Sequence, residues 1–338
     1  MASSPELPQT VGPASARLSA ARRRDTWHYR DAIPVPAAPR AARRRYRSCL
    51  ASGSRTRRTA PRRTTKDIDM PRTPAEKRAA FRQLHESGCF LLPNPWDVGS
   101  ARYLASLGFQ ALATTSSGYA WSTGHADNTV SRAAVLAHLR DIVGATDLPV
   151  NADFENGFGA TPDEVGESVR LAVETGIAGL SIEDATGDTA TPLFPIDEAV
   201  ARIAAARRAI DASGGDTLLV GRAENFVVGV PDLDDAIARL RAYAAAGADC
   251  LYAPGIRTRG QIEAVVAALA PKPVNLLVGA PIEFSLAEIA GFGVRRVSVG
   301  GALARAAWDG FMNATLGLLD GSFARLPTLS GKQIDAQF

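Results

Sequence analysis

From residue 81 onward the sequence alternates, eight times over, between a short apolar run and an amphipathic helical segment. The runs are FLLP (90–93), ALATT (111–115), PVNADF (149–154), GLSIED (179–184), TLLVGRA (217–223), CLYAP (250–254), PVNLLV (273–278) and RRVSVG (295–300). Short apolar runs bounded by turn residues read as buried strands. The intervening segments, such as PDEVGESVRLAVETG and DLDDAIARLRAYAAAG, repeat apolar residues at helical spacing. Several of them stop at a glycine, as at Gly108, Gly176 and Gly247, which suits a left-handed helix cap. Eight strand-helix units in roughly 250 residues predict a (β/α)8 TIM barrel of the α/β class. An open doubly wound sheet is the rival, but no G-x-G-x-x-G follows the first run.

Charge divides the chain in two. Residues 1–69 hold 16 Lys and Arg against 5 Asp and Glu, leaving 22 against 30 for the other 269 residues, so the net charge of +3 conceals a basic tail and an acidic barrel. The tail is rich in Arg, Pro and Ser without a sustained apolar period, and so cannot bury enough surface to offset its ordering entropy. We expect residues 1–69 to be a disordered Arg-rich tail or a translated leader ahead of Met70, and residues 70–338 to form the catalytic barrel. A nucleic-acid arm or a transit peptide would need an aromatic-interleaved basic stripe or an apolar helical face, and the tail has neither. No run approaches the ~18 apolar residues of a membrane helix. Three scattered cysteines, Cys49, Cys89 and Cys250, form no disulfide framework or zinc site, which fits a reducing, cytoplasmic setting.

A barrel of this kind builds its active site at the C-terminal ends of its strands. Those ends carry, in order, Asn94 and Asp97, then Thr115 to Gly118, Asp153 and Glu155, Glu183 and Asp184, Arg222 with Glu224 and Asn225, Tyr252, and Gly300 and Gly301. Asp153 and Glu155, at alternate positions of one strand, are expected to point the same way. Four acids, Asp153, Glu155, Glu183 and Asp184, would then meet one arginine, Arg222, at a single mouth. Such a cluster repels itself unless a cation is present, and oxygen ligands of this type suit Mg²⁺. The bland alternative is a set of solvated loop acids. The four lysines, Lys66, Lys77, Lys272 and Lys332, sit at no strand end, which argues against a Schiff-base aldolase. The four histidines have no metal-ligand spacing, which argues against a zinc aldolase. His138 reads as a surface or packing residue of a helix, while His125, near Asp127, could reach the mouth.

The blocks NPWDVGSARYLASLGFQALATTSSGYAWSTGHAD, PVNADFENGFG, GLSIEDATGD and LLVGRAENF resemble the isocitrate lyase and phosphoenolpyruvate mutase superfamily over about residues 75–325. The resemblance is strongest to its phosphonomutase-like, carboxyvinyl-carboxyphosphonate phosphorylmutase-like branch. It implies that Asp153 holds Mg²⁺, with Mn²⁺ as a substitute, and that Glu155 and Glu183 reach the ion through water. Thr115, Ser116 and Ser117 match the segment that holds a pyruvyl carboxylate, Asp127 the acid of a gating loop, and Arg222 the arginine that steadies the substrate carboxylate and its enolate. By the same resemblance, the C-terminal helix ALARAAWDGFMNATLGLLDG is expected to swap between subunits of a homotetramer.

Departures narrow the chemistry. The lyases of the superfamily carry a lysine-x-cysteine-glycine-histidine loop after the fourth strand, where this chain reads ATGDTATPLFP. Pro254 stands where the mutase has a histidine, and the second metal acid is Glu155 rather than aspartate. The expected activity is therefore a Mg²⁺-dependent carbon-carbon lyase or decarboxylase acting on a small 2-oxo or 2-hydroxy di- or tricarboxylate through an enol-pyruvate type intermediate. The alternatives are a phosphonopyruvate mutase or hydrolase acting on a carbon-phosphorus bond, and an inactive metabolite-binding barrel.

Overall fold

A computed structural model describes residues 71–338; the expected tail, residues 1–69, lies outside the described residues. The strands are β1 (Phe90–Leu92), β2 (Leu112–Ala113), β3 (Val150–Asp153), β4 (Gly179–Glu183), β5 (Leu218–Arg222), β6 (Cys250–Tyr252), β7 (Val274–Leu277) and β8 (Arg296–Ser298). The helices are α1 (Pro74–Leu84), α2 (Val98–Ser106), α3 (Ser116–Ser122), α4 (Arg132–Ala145), α5 (Pro162–Val173), α6 (Ile196–Ala212), α7 (Leu233–Ala245), α8 (Arg259–Leu269), α9 (Leu286–Gly291), α10 (Ala302–Leu319) and α11 (Gly331–Asp335). All eight strands pair in parallel in the order β1-β8-β7-β6-β5-β4-β3-β2, the (β/α)8 barrel expected from the alternation.

The local code is consistent with these elements. Thr73, Asp97, Ser131, Thr161, Asp232, Thr258 and Ser285 each cap a helix by accepting a backbone N–H in its first turn. Gly108, Gly176 and Gly247 all adopt positive φ after their helices, as the sequence predicted. The seam between β1 and β2 is closed without a strand pair. Ala113 N–H donates to the Pro93 carbonyl at 3.1 Å. Asn94 Nδ2 donates to the Thr114 carbonyl at 2.9 Å, and Asn94 Oδ1 accepts from Val299 and Gly300 N–H, both at 2.9 Å. One asparagine thus ties three strand ends together at the mouth.

The main core lies between the outer faces of the strands and the surrounding helices, with Leu180, Ile182, Leu219, Leu251 and Leu276 on the strands and Ile142, Val169, Ile203 and Leu240 on the helices. The opposite end of the barrel is stoppered by α1, whose Phe81 packs among Phe90, Leu92, Ala111 and Leu218. Beside it Arg296 donates to Asn275 Oδ1 at 2.9 Å and Asn151 Oδ1 at 3.2 Å, and faces His85 Nε2 at 3.4 Å. Burial, then the Arg296 charge, pushes the His85 imidazole down to about 3, so it stays neutral against its cationic neighbour. That end is packed for stability and leaves the chemistry to the other.

Candidate active site

Three adjacent strands end in charged side chains that face one another. Glu183 of β4 and Arg222 of β5 are register partners, and Arg222 in turn pairs with Tyr252 of β6. Arg222 Nη1 lies 2.9 Å from Glu183 Oε2 and 3.1 Å from Asp153 Oδ1, bridging two acids. The other edge of the guanidinium meets Glu224, through Nε to Oε1 and through Nη2 to Oε2 at 3.2 Å. Burial opposes the Arg222 charge, but Glu183, Glu224 and Asp153 outweigh it and hold the group protonated. Tyr252 lies under the guanidinium, 5.2 Å from ring centre to Cζ.

The expected substrate segment Thr115-Ser116-Ser117 is the entry to α3. Thr115 caps that helix, and Thr115 Oγ1 lies 3.1 Å from Ser117 Oγ. Ser116 N–H donates to Asp153 Oδ2 at 2.9 Å, while Asp153 N–H donates to Thr114 Oγ1 at 2.9 Å, so β2 and β3 fix the aspartate from both ends. Gly118 is required here: a Cβ would stand 2.7 Å from Thr115 Cγ2 and 2.9 Å from Trp96 Cβ.

Ser116, Asp127, Glu183, Arg222 and Glu224 line one open cavity of about 290 Å³ together with Gly187, Asp188, Thr189 and Pro192 of the loop after β4 and Val227 and Val228 after β5. Asp127 stands at its solvent edge. Asp153, Glu155 and Thr115 line a smaller recess that shares Ser116 with the main cavity. β3 ends at Asp153, and Glu155 follows in left-handed backbone at φ 48°, so strand alternation does not reach it. The turn is possible because Gly157, at φ 89°, leaves room that a Cβ would take from Val165 Cγ1 at 2.7 Å. Burial, then Asp153 and Asp127, pushes the Glu155 carboxyl up to about 8. Burial also raises Glu183, helped by Glu224, Asp153 and Glu155 and opposed by Arg222. Burial comes first for both carboxyls, and the neighbouring acids add to it.

Two expectations need correction. Asp184 does not join the mouth: it points outward, where Arg239 Nη1 lies 3.2 Å from its Oδ2. Glu224, already expected at the end of β5 beside Arg222, takes the fourth acidic place. His125 is exposed and occupied locally, its Nδ1 lying 3.0 Å from the Thr123 carbonyl. His138 is a packing residue, stacked on Tyr119 at 3.8 Å between ring centres.

As the side chains stand, no three His, Cys, Asp or Glu among the described residues are grouped to hold a metal ion, and Arg222 lies between Asp153 and Glu183. In donor chemistry the set nevertheless fits a hard cation. Asp153, Glu155 and Glu183 offer only oxygen, and together with Glu224 they outnumber the one arginine beside them.

This is an enzyme-type barrel mouth, and comparison identifies the class of barrel. Residues 81–319 match the family described as phosphoenolpyruvate phosphomutase. The chain belongs to this phosphoenolpyruvate mutase family, within the isocitrate lyase superfamily, whose members are lyases and mutases. An oxaloacetate decarboxylase of Bradyrhizobium diazoefficiens (strain JCM 10833 / BCRC 13528 / IAM 13628 / NBRC 14792 / USDA 110) is 32% identical over 243 residues, 70% of this chain and 82% of that protein. A solved structure from Burkholderia cenocepacia J2315, assigned provisionally as a lyase/mutase, is 51% identical with a TM-score of 0.75, covering 78% of this chain and 96% of that one. Phosphonopyruvate hydrolase in complex with oxalate and Mg²⁺ is 27% identical with a TM-score of 0.68, covering 77% and 94% respectively. Among the described residues no helix is long and apolar enough to cross a membrane.

Proposed function

We propose that the chain is a Mg²⁺-dependent lyase that breaks a carbon-carbon bond of a small 2-oxo dicarboxylate, with oxaloacetate decarboxylation as its reaction. The observation that carries this reading is Arg222, held by Asp153, Glu183 and Glu224 and, among the described residues, the one basic side chain lining the cavity. Arg222 and one divalent ion already face Asp153, Glu155, Glu183 and Glu224, so the mouth favours the smaller charge of a dicarboxylate. A tricarboxylate would add a further charge with no cation in the lining to meet it. The resemblance to oxaloacetate decarboxylases points to the same substrate class.

Asp153 would hold Mg²⁺ directly, with Glu155 and Glu183 through water. When bound, the ion would supply Lewis-acid polarisation of the 2-oxo group. With Asp153 and Glu183 turned to the cation, Arg222 Nη1 would be free for the substrate carboxylate and for the enolate oxygen as charge develops there. In the decarboxylation the C3–C4 bond breaks, its electron pair enters the enolate, CO₂ leaves, and C3 later takes a proton from water. Among the described residues no cysteine, histidine or lysine lines the main cavity, and His138, at the adjoining recess, is stacked on Tyr119; this reaction needs none of them.

Turnover of oxaloacetate, a methylisocitrate-type tricarboxylate and phosphonopyruvate, measured side by side, tests the reading. Oxaloacetate should lead by at least about tenfold, whereas preference for phosphonopyruvate would place the chain with the carbon-phosphorus enzymes of the family.

We also infer a homo-oligomer, with the tetramer expected, built by α10. Phe311, Met312, Leu316 and Leu319 on this helix are exposed. An apolar groove of about 390 Å³ lies beside β1 and β8, lined by Leu91, Trp96, Tyr103, Leu107, Phe109 and Val297. That is where a barrel's eighth helix would pack, which favours α10 of a second copy as its occupant. Light scattering on Phe311→Glu should then show loss of the oligomer; an oligomer unchanged by the substitution would contradict it. The free thiols Cys89 and Cys250 favour a cytoplasmic setting.

A further inference from the structure

Asp184 follows Glu183 directly, and strand alternation sends the two side chains to opposite sides of the barrel wall. Glu183 faces Arg222 inside. Asp184, 2% exposed, lies outside against α7 and there accepts three donors. Glu224 N–H donates to Oδ1 at 2.8 Å, and Tyr243 Oη and Arg239 Nη1 donate to Oδ2 at 2.5 and 3.2 Å. Arg239 Nη1 also donates to the Phe194 carbonyl at 2.9 Å, while Phe194 N–H donates to the Asp184 carbonyl at 2.9 Å. Arg239 Nε donates to Asp235 Oδ2 at 2.7 Å, and Asn225 Nδ2 meets the same oxygen at 2.7 Å.

One buried cluster therefore joins four segments. They are the end of β4, the returning limb of the loop after β4, the residues just after β5, and α7. Two of these serve the cavity. Glu224 grips Arg222, and the loop that Phe194 closes supplies Gly187, Asp188, Thr189 and Pro192 to the lining. Asp184, Arg239 and Tyr243 themselves are absent from that lining. A buried ion pair is weak evidence for stability, because apolar residues of similar volume often pack as well or better. Its merit is geometric: charged, directional contacts fix one arrangement of the segments they join.

We propose that Asp184, Arg239 and Tyr243 are positioning residues that set the angle of the Arg222 fork, through Glu224, and the closure of the loop after β4 in one coupled unit. Tyr243 donates to Asp184 and so reaches the Glu224 side, without a hydrogen bond to the loop after β4. Arg239 acts on both, since one nitrogen serves Asp184 and Phe194. The two substitutions should therefore differ in kind. This inference rests on the reading of Arg222 as the substrate's cation.

The test compares Tyr243→Phe and Arg239→Lys in the full chain, with oxaloacetate as substrate and the folded fraction checked by near-UV circular dichroism. Tyr243→Phe removes one oxygen and should lower kcat by about tenfold with KM little changed. Arg239→Lys cannot reach Asp184, Asp235 and Phe194 together, and should lower kcat and raise KM several-fold. Wild-type kcat and KM in both variants, with only a lower unfolding midpoint, would show the cluster to be merely structural and overturn the proposal. If the wild type turns over no oxaloacetate, the functional reading fails on its own. The Arg222 ¹⁵Nε resonance then decides: a shift in Tyr243→Phe supports the positioning role, and an unmoved resonance overturns it.

Discussion

Arg222→Lys separates a catalytic arginine from a structural one. The guanidinium contacts Asp153, Glu183 and both oxygens of Glu224 from three different nitrogens, and its side chain is 16% exposed. A lysine carries the same charge on a single atom and cannot span all three acids. It should lose about two of these charge-assisted hydrogen bonds, each worth about 1.5–3 kcal/mol. Partial relaxation of the freed acids leaves a stability loss on the order of 3 kcal/mol. Folded protein should remain, and Mn²⁺ binding with it. The loss in kcat/KM should be roughly 100-fold, because the fork that meets the enolate oxygen is gone. Urea unfolding gives the first quantity, and the fall of oxaloacetate absorbance under steady-state conditions gives the second. A lysine variant that is less stable yet, per folded molecule, turns over near the wild-type rate would make Arg222 only a counter-ion for Glu224 and its neighbours, and the mechanism would be wrong.

Gly118→Ala should cost about 1–3 kcal/mol by overpacking Thr115 and Trp96, and should raise KM by displacing the Thr115–Ser117 segment; unchanged kinetics would remove that segment from the substrate site. Burial lowers the folded-state pKa of His85 to about 3 from about 6.5 in the unfolded chain, so the unfolded chain binds its proton first as pH falls. Stability should accordingly be lost by about 1.4 kcal/mol per pH unit from pH 6.5 down toward 3, and level off below that. Urea titrations of wild type and His85→Gln should differ by this slope, and parallel curves would refute it. A chain beginning at Met70 should keep its melting temperature and turnover, because every proposed site residue lies between 115 and 224; a large fall in either would mean that residues 1–69 contribute to the barrel.

Much of this was legible in sequence because a barrel repeats. Each of the eight strands shows as an apolar run, and position at a strand end then assigns Asp153, Glu183 and Arg222 to one mouth without any contact being known. What the sequence could not show depends on direction and on backbone. Asp184 sits one residue beyond Glu183, and only the observed strand settles which of two adjacent acids faces in. Glu155 obeys alternation on paper, yet β3 ends two residues earlier and a left-handed turn places it in the neighbouring recess. Glu224, two residues from Arg222 at the same strand end, was legible as the arginine's partner, and the structure pairs them. Arg239 and Tyr243 had no such signal, since their helix reads as an ordinary amphipathic segment and their partner Asp184 lies 55 and 59 residues away.

The central claim is that these acids gather to serve a divalent cation in carbon-carbon bond cleavage. The most direct measurement is oxaloacetate decarboxylation by protein stripped with EDTA and then titrated with Mg²⁺ or Mn²⁺, alongside Asp153→Ala and Glu155→Ala. Turnover should vanish on stripping and return on titration, with Asp153→Ala the more damaged variant because a direct ligand is harder to replace than one acting through water. Full turnover in thoroughly chelated protein would contradict the account.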